Sequence, residues 1–217
     1  MKLIKLSLAA AVIASSLAAD AITVSGDVTF TTNSLWRGAS GTDDTATIQG
    51  TLGIEHESGV YAGMWGTGMT NGTEIDLYAG YTTDLSGVGI DAGFVAYTTT
   101  GADAKGDFEH TFDDAGEVYL GASYDAGVEL GAMLYVEVLD SDSDSMLVDF
   151  TADKDFGMLY VGAAYGLQLD SESGDDYYSL TVGKAFDSIK GDLSLNYQQS
   201  TATGADAVYA LNYTTSF

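Results

Sequence analysis

From residue 22 to residue 217, apolar and polar side chains alternate in short runs of period two. The first run sets Ile22, Val24, Val28 and Phe30 against Thr23, Ser25, Asp27 and Thr29. A later one sets Val128, Leu130, Ala132, Leu134, Val136 and Val138 against Glu129, Gly131, Met133, Tyr135 and Glu137. Successive side chains of a strand point to opposite faces, so these runs predict strands with one greasy and one polar face. The pattern predicts twelve strands, at 22–33, 46–57, 60–68, 74–84, 88–98, 116–125, 128–139, 146–153, 158–167, 176–186, 191–200 and 207–217. Several alternate clearly, whereas 60–68 is ambiguous in phase. Most approach the roughly 9–11 residues that a tilted strand needs to cross a bilayer.

The last run carries Tyr209, Leu211, Tyr213, Thr215 and Phe217 on one face and Ala210, Asn212, Thr214 and Ser216 on the other. A free edge of this kind is sticky, and pairing it with the first strand removes it. The connections sort by length. Five are tight: Ser58-Gly59, Leu85-Ser86-Gly87, Asp125-Ala126-Gly127, and the turns around Lys154-Asp155 and Ser188-Ile189-Lys190. Six are longer, following Arg37, Gly68, Thr98, Leu139, Leu167 and Ser200, and the stretch 99–116 is the longest. An even strand number with both termini on one side needs one more loop than turns. Short turns at one end and long loops at the other characterise outer-membrane barrels. The expected fold is all-β: a single antiparallel up-and-down transmembrane β-barrel of 12 strands, forming one domain over 22–217. Tyr81, Tyr124, Tyr165, Tyr178, Phe186 and Phe217 are expected outward near strand ends, where amphipathic rings suit headgroup depth.

Composition sharpens this picture. The chain has no Pro, which suits paired strands, and no Cys, which removes disulfide and thiolate chemistry. A net charge of −25 excludes nucleic acid as a partner. Residues 1–21 read as a secretory signal, with Lys2 and Lys5 before an apolar stretch too short to span a bilayer and an Ala19-Asp20-Ala21 cleavage site. An exported acidic chain with this strand pattern is expected in the outer membrane of a Gram-negative bacterium.

Thr32-Asn33-Ser34-Leu35-Trp36-Arg37-Gly38-Ala39-Ser40 resembles the segment near the start of the TorF-type porins of proteobacterial outer membranes. Ile48-Gln49-Gly50, followed by Glu55 to Trp65, resembles that family's next hairpin, and Glu74 to Tyr81 its following strand. The similarity is closest over residues 28–98 and architectural beyond. Ser34, Ala39 and Gly41 depart from the family's usual Tyr, Ile and Gln. The resemblance implies a porin-like function and brings no substrate with it. The terminal strand also resembles that of outer-membrane barrels generally, which implies that Tyr209, Leu211, Tyr213 and Phe217 form a signal for the barrel-assembly machinery.

With the apolar faces toward lipid, Asp27, Glu55, Asp76, Asp91, Glu117, Glu129, Glu137, Asp149 and Asp192 fall inside, accompanied by Tyr78, Tyr97, Tyr119, Tyr135, Tyr160 and Tyr177. Carboxylates facing hydrocarbon would cost several kcal/mol each, so this sorting fixes the phase. Inward carboxylates favour cations over anions. The alternative is an interior filled by side chains that conducts nothing and a barrel that serves structure or surface interaction. Tyr78 with Gly80, Tyr119 with Gly121 and Tyr160 with Gly162 are spaced for a ring to shield a glycine two residues away; a lumen track that stacks a ligand is the functional alternative. Arg37, the chain's one arginine, is expected inward at the external mouth, with Trp36 outward at the lipid interface. It reads either as a counter-ion for Glu117 or Glu137, or as the source of a transverse field at a constriction.

Catalysis and cofactors find no support. His56 and His110 are far apart, and Glu57-Ser58 beside His56 on a turn cannot align three side chains as a hydrolase needs. Asp140, Asp142 and Asp144 open like a calcium loop, but Ser145 stands where Gly is needed and Thr151 where Glu is needed. The expected function is passive diffusion of small hydrophilic solutes, with cations preferred, in a setting of outer-membrane lipid and lipopolysaccharide.

Overall fold

The computed structural model describes residues 22–70, 72–101, 115–139, 145–170, 174–188 and 190–217. Residues 1–21, expected as a signal, together with His110, Asp140 to Asp144 and most of the 99–116 loop, lie outside these residues. The strands are β1 Ile22–Thr31, β2 Leu35–Trp36, β3 Ala39–Ser40, β4 Thr47–His56, β5 Val60–Met69, β6 Gly72–Leu85 and β7 Val88–Gly101. They continue with β8 Ala115–Asp125, β9 Glu129–Glu137, β10 Met146–Asp155, β11 Tyr160–Gln168, β12 Tyr177–Phe186, β13 Gly191–Ser200 and β14 Val208–Ser216. All except β2 and β3 form one closed barrel in the order β1-β14-β13-β12-β11-β10-β9-β8-β7-β6-β5-β4, every neighbouring pair antiparallel. This is the twelve-stranded barrel that the alternation predicts.

Two differences from the alternation concern strand ends. β6 and β7 extend through residues expected in loops, pairing Gly72 with Gly101 and Thr73 with Thr100. β10 runs through Asp155, which pairs with Tyr160, so the turn lies at 156–159 rather than at Lys154-Asp155. The phase of β5 is now fixed. Tyr61 and Trp65 pair with Gly80 and Asp76 on the inner face, while Val60 and Met64 are exposed outside.

The barrel is turned inside out relative to a water-soluble protein. Ile48 is 61% and Leu120 56% exposed, whereas Asp27 and Asp149 are each 2% exposed. Exposed apolar residues continue around the exterior, among them Val24, Leu52, Met64, Leu77, Val118, Leu130, Phe150, Leu180, Leu195 and Leu211. Water solvates such a surface poorly, and hydrocarbon solvates it well. Tyr81, Tyr124, Phe156 and Phe217 are exposed at the end of the barrel that carries Ile22 and Phe217. Near the other end the rings of Tyr178, Tyr197 and Tyr209 pack in series at 5.8 and 5.2 Å between centroids, and the first two donate hydrogen bonds to Gln199 Oε1.

Glycine shielding takes a different form from the expected one. The rings of Tyr61, Tyr78, Tyr119, Tyr160 and Tyr177 lie over Gly80, Gly63, Gly93, Gly183 and Gly166. Each of these glycines is the tyrosine's direct partner on the next strand, not a residue two along its own. The physical reason is distance. A direct cross-strand partner is about 5 Å away, whereas a residue two positions along the same strand is about 6.6 Å away.

The barrel closes where β1 meets β14. Gly26 N–H donates to Phe217 O at 3.1 Å, and Phe217 N–H donates to Gly26 O at 3.0 Å. Gly26 falls in the outward phase of β1, and the Phe217 ring covers the place where its side chain would be.

Candidate functional site in the lumen

Between β1 and β4 the chain does not form a simple external loop. It bends at Asn33, which is 2% exposed and acts as a hub. Its Oδ1 accepts from Ser40 Oγ at 2.6 Å and Thr42 Oγ1 at 2.9 Å, and its Nδ2 donates to Asp44 Oδ1 at 2.7 Å. Ser34 N–H donates to Thr42 Oγ1 at 3.0 Å, and Gly41 N–H to Ser34 O at 2.7 Å. These bonds hold the root of a hairpin formed by β2 and β3, with Leu35 opposite Ser40 and Trp36 opposite Ala39. The two tip residues, Arg37 and Gly38, have φ of +43° and +86°, the left-handed pair that a tight two-residue hairpin turn requires.

The tip enters the bore and touches both sides. On one side Gly38 N–H donates to Gln198 Oε1 at 2.9 Å, and a Cβ on Gly38 would lie 2.7 Å from Ser200 N and 2.9 Å from Tyr177 Cβ. Only glycine satisfies both that backbone angle and that approach. On the other side Arg37 forks onto Glu117 of β8, Nη1 to Oε1 and Nη2 to Oε2, both at 2.8 Å. β8 lies across the barrel from β1 in the strand order, so the hairpin bridges the lumen. Tyr97 hydroxyl donates to Glu117 Oε2 at 2.7 Å, and Tyr177 hydroxyl to Asp149 Oδ1 at 2.7 Å. The guanidinium also stands 5.1 Å from the Tyr135 ring centroid and 4.6 Å from that of Trp36. Burial alone would lower the Arg37 pKa, but the Glu117 carboxylate outweighs it and the pKa is raised, so the cation is permanent.

Trp36 is therefore not at a lipid interface. Its ring meets Tyr97, an inward residue, edge-on at 5.7 Å. The expectation failed because it carried the phase of β1 past Thr31, where the chain bends: Thr31 Oγ1 donates to Asn33 O at 2.6 Å. Arg37 pairs with Glu117, whereas Glu137 Oε1 instead accepts the backbone N–H groups of Gly116, Val138 and Leu139.

The ladders place the remaining candidates on the inner face. Asp27 pairs with Thr51, Asp76 with Tyr97, Tyr78 with Gly63, Asp91 with Gly121, and Glu137 with Glu117. Glu55 and Glu129 lie inward at the end that carries Ile22, next to turns. Tyr160 hydroxyl donates to Asp192 Oδ1 at 2.6 Å. Tyr61, which the ambiguous phase of its strand concealed, donates to Asp91 Oδ1 at 2.7 Å and shares a hydrogen bond with Tyr119. Also inward without having been singled out are Trp65, Glu74 and Asp153, opposite Asp76, Thr99 and Glu129. Lumen carboxyl groups are thus repeatedly clamped by tyrosine hydroxyls, an arrangement that fixes their positions.

His56 Nδ1 accepts from Ser58 N–H at 3.1 Å and pairs with Ser58 Oγ at 2.8 Å, which caps an exposed turn. Among the described residues there is no group of three or more His, Asp or Glu side chains placed to hold a metal ion.

No curated protein matches the sequence. Among solved structures the chain is similar to the KdgM porin, with a TM-score of 0.66, 11% identity, and coverage of 89% of this chain and 99% of that one. The KdgM porin in complex with disordered oligogalacturonate gives a TM-score of 0.63 and 10% identity over the same shares. At this identity the likeness concerns the fold alone, a β-barrel that the match covers nearly in full. Residues 15–212 match the family described as "Bacterial protein of unknown function (Gcw_chp)", and the chain belongs to that family.

Proposed function

We propose that the protein is a narrow, cation-preferring diffusion channel for small hydrophilic solutes in the outer membrane of a Gram-negative bacterium, with the Arg37 hairpin as its constriction. The observation that carries this reading is the charge of the inner face. Asp27, Asp76, Asp91, Asp149 and Asp192 all point inward, and Arg37 is bound to one carboxylate, Glu117. A ring of fixed carboxylates attracts cations and repels anions entering a low-dielectric bore. The apolar exterior supports a setting of membrane lipid and lipopolysaccharide. The outward row Tyr209, Leu211, Tyr213 and Phe217 supports delivery by the barrel-assembly machinery after export on the 1–21 signal. Within the family, the Thr32 to Ser40 segment supports kinship with the TorF-type porins; in this barrel that segment forms the constriction.

The KdgM structure with oligogalacturonate shows that barrel with a polyanion. The acidic inner face here opposes a ligand of that charge. In planar bilayers under a potassium chloride gradient, the reversal potential should move toward that of potassium. The Asp91→Asn/Asp192→Asn double variant should move it back toward zero. A reversal potential on the chloride side would overturn the proposal. A closed barrel that serves structure or surface interaction is the second reading, favoured by the 2% exposure of Asp27 and Asp149 near mid-depth. Absence of any conductance from folded protein would establish it.

A further inference from the structure

We propose that the lumen holds a binding site for a hydroxylated organic amine, of the amino-sugar class, built on Asp76 and Trp65. The proposal deepens the channel reading and rests on it for access to the site. Asp27, Thr51, Trp65, Asp76 and Tyr97 form one row across five adjacent strands, each the direct partner of the next. Elsewhere in the lumen Asp91, Glu117, Asp149 and Asp192 receive tyrosine hydroxyls. Asp76 does not. It is 7% exposed, and its Oδ1 is buried with no hydrogen-bond partner among the described residues. Beside it, again among the described residues, the Trp65 indole N–H is buried without an acceptor, and beside that Thr51 Oγ1 is buried without a partner.

An unpaired buried carboxylate oxygen and an unpaired buried indole N–H are each costly, and neighbouring orphans in one row are a matched set. One step along the row is about 5 Å, the spacing of substituents around a small ring. The missing partner must bring a cationic N–H donor for Asp76, an oxygen acceptor for Trp65 and a hydroxyl for Thr51. It must also have an apolar face that can lie on the indole ring. An amino sugar brings all four. A bare metal ion answers only Asp76 and would sit against the indole N–H. A neutral sugar leaves the carboxylate charge unmatched.

The chain has two tryptophans, so Trp36→Phe leaves Trp65 as the sole indole reporter. That variant, folded in detergent micelles at constant ionic strength, is titrated with glucosamine, glucose and potassium chloride. The expected result is a saturable change in Trp65 emission with glucosamine, at concentrations about tenfold below any response to glucose, and about tenfold weaker after Asp76→Asn. If Asp76→Asn does not give the folded, heat-modifiable band, Asp76→Glu takes its place. Equal responses to glucose, an equal response to potassium (an inorganic cation site), an effect untouched by the Asp76 variants, or no response would each overturn the site. The readout does not need current. A conducting barrel with a silent Trp65 refutes this site alone, and a saturating Trp65 in a barrel that never conducts refutes the channel alone.

Discussion

Arg37→Ala should raise single-channel conductance, strengthen cation preference and lower stability in one step. The forked bond to Glu117 is the hairpin tip's ionic tie to the far wall, and both of its hydrogen bonds are 2.8 Å. The Glu117 side chain is 6% exposed, so losing the guanidinium leaves a nearly buried carboxylate with, among the described residues, the Tyr97 hydroxyl alone. Breaking a buried pair from one side typically costs about 3–5 kcal/mol. Arg37 also pays for its own backbone, since a non-glycine residue in the left-handed region costs about 1–2 kcal/mol; the tie to Glu117 is what holds it there. Arg37→Ala/Glu117→Gln should therefore recover much of the stability lost in either single variant, because no charge is left unmatched. Arg37→Lys separates geometry from charge. It keeps the cation but loses the fork, so the tip should loosen and conductance rise with little change in selectivity. Bilayer recordings beside thermal melts of the detergent-folded protein measure both effects. A folded Arg37→Ala barrel with wild-type conductance would remove the hairpin from the permeation path.

Most of the barrel could be read along the chain because lipid and lumen impose opposite demands on alternate residues. Ile22 to Thr31 and Glu129 to Glu137 show both demands, and their ladders follow. β5 was ambiguous for a physical reason. Its outer positions include Ala62, Gly66 and Gly68, and its inner ones include Tyr61 and Trp65, so size and hydrophobicity run against the usual sorting. Leu147 and Met133 are likewise apolar side chains facing inward, 2% and 5% exposed, packed within the lumen rather than toward lipid. Period two carries no information once the ladder ends, so the inward fold of the hairpin was not legible from alternation. The one local signal was the Arg37-Gly38 pair, a residue followed by glycine between two short apolar pieces, which is turn chemistry. The sequence narrows the partner of Arg37 to Glu117 or Glu137; the choice of Glu117, 80 positions away, follows from the closed strand order and from the backbone N–H groups that Glu137 accepts.

Gly26→Val should prevent stable closure of the barrel. A Cβ at this position would lie 2.6 Å from Phe217 Cζ and 2.7 Å from the Thr51 carbonyl oxygen. The first contact pushes the terminal ring off the seam between β1 and β14. The second presses on the backbone of β4, which cannot rotate away as a side chain can. Overpacking of this kind commonly costs about 1–3 kcal/mol, and here it falls on the pairing that joins the two ends of the sheet. The expected result is loss of most of the compact, heat-modifiable band on gels after refolding into detergent. Gly26→Val/Phe217→Ala should recover only part of it, since removing the ring relieves one clash and leaves the other. Phe217→Ala alone should fold in detergent yet assemble poorly in cells if the terminal aromatic is read by the assembly machinery. The two variants are thus separable: Gly26→Val acts on the seam itself, whereas Phe217→Ala tests the proposed reading of that residue by the assembly machinery. Full refolding of Gly26→Val would show that the ring and the β4 backbone can yield, and that the seam is not closed in the way these distances require.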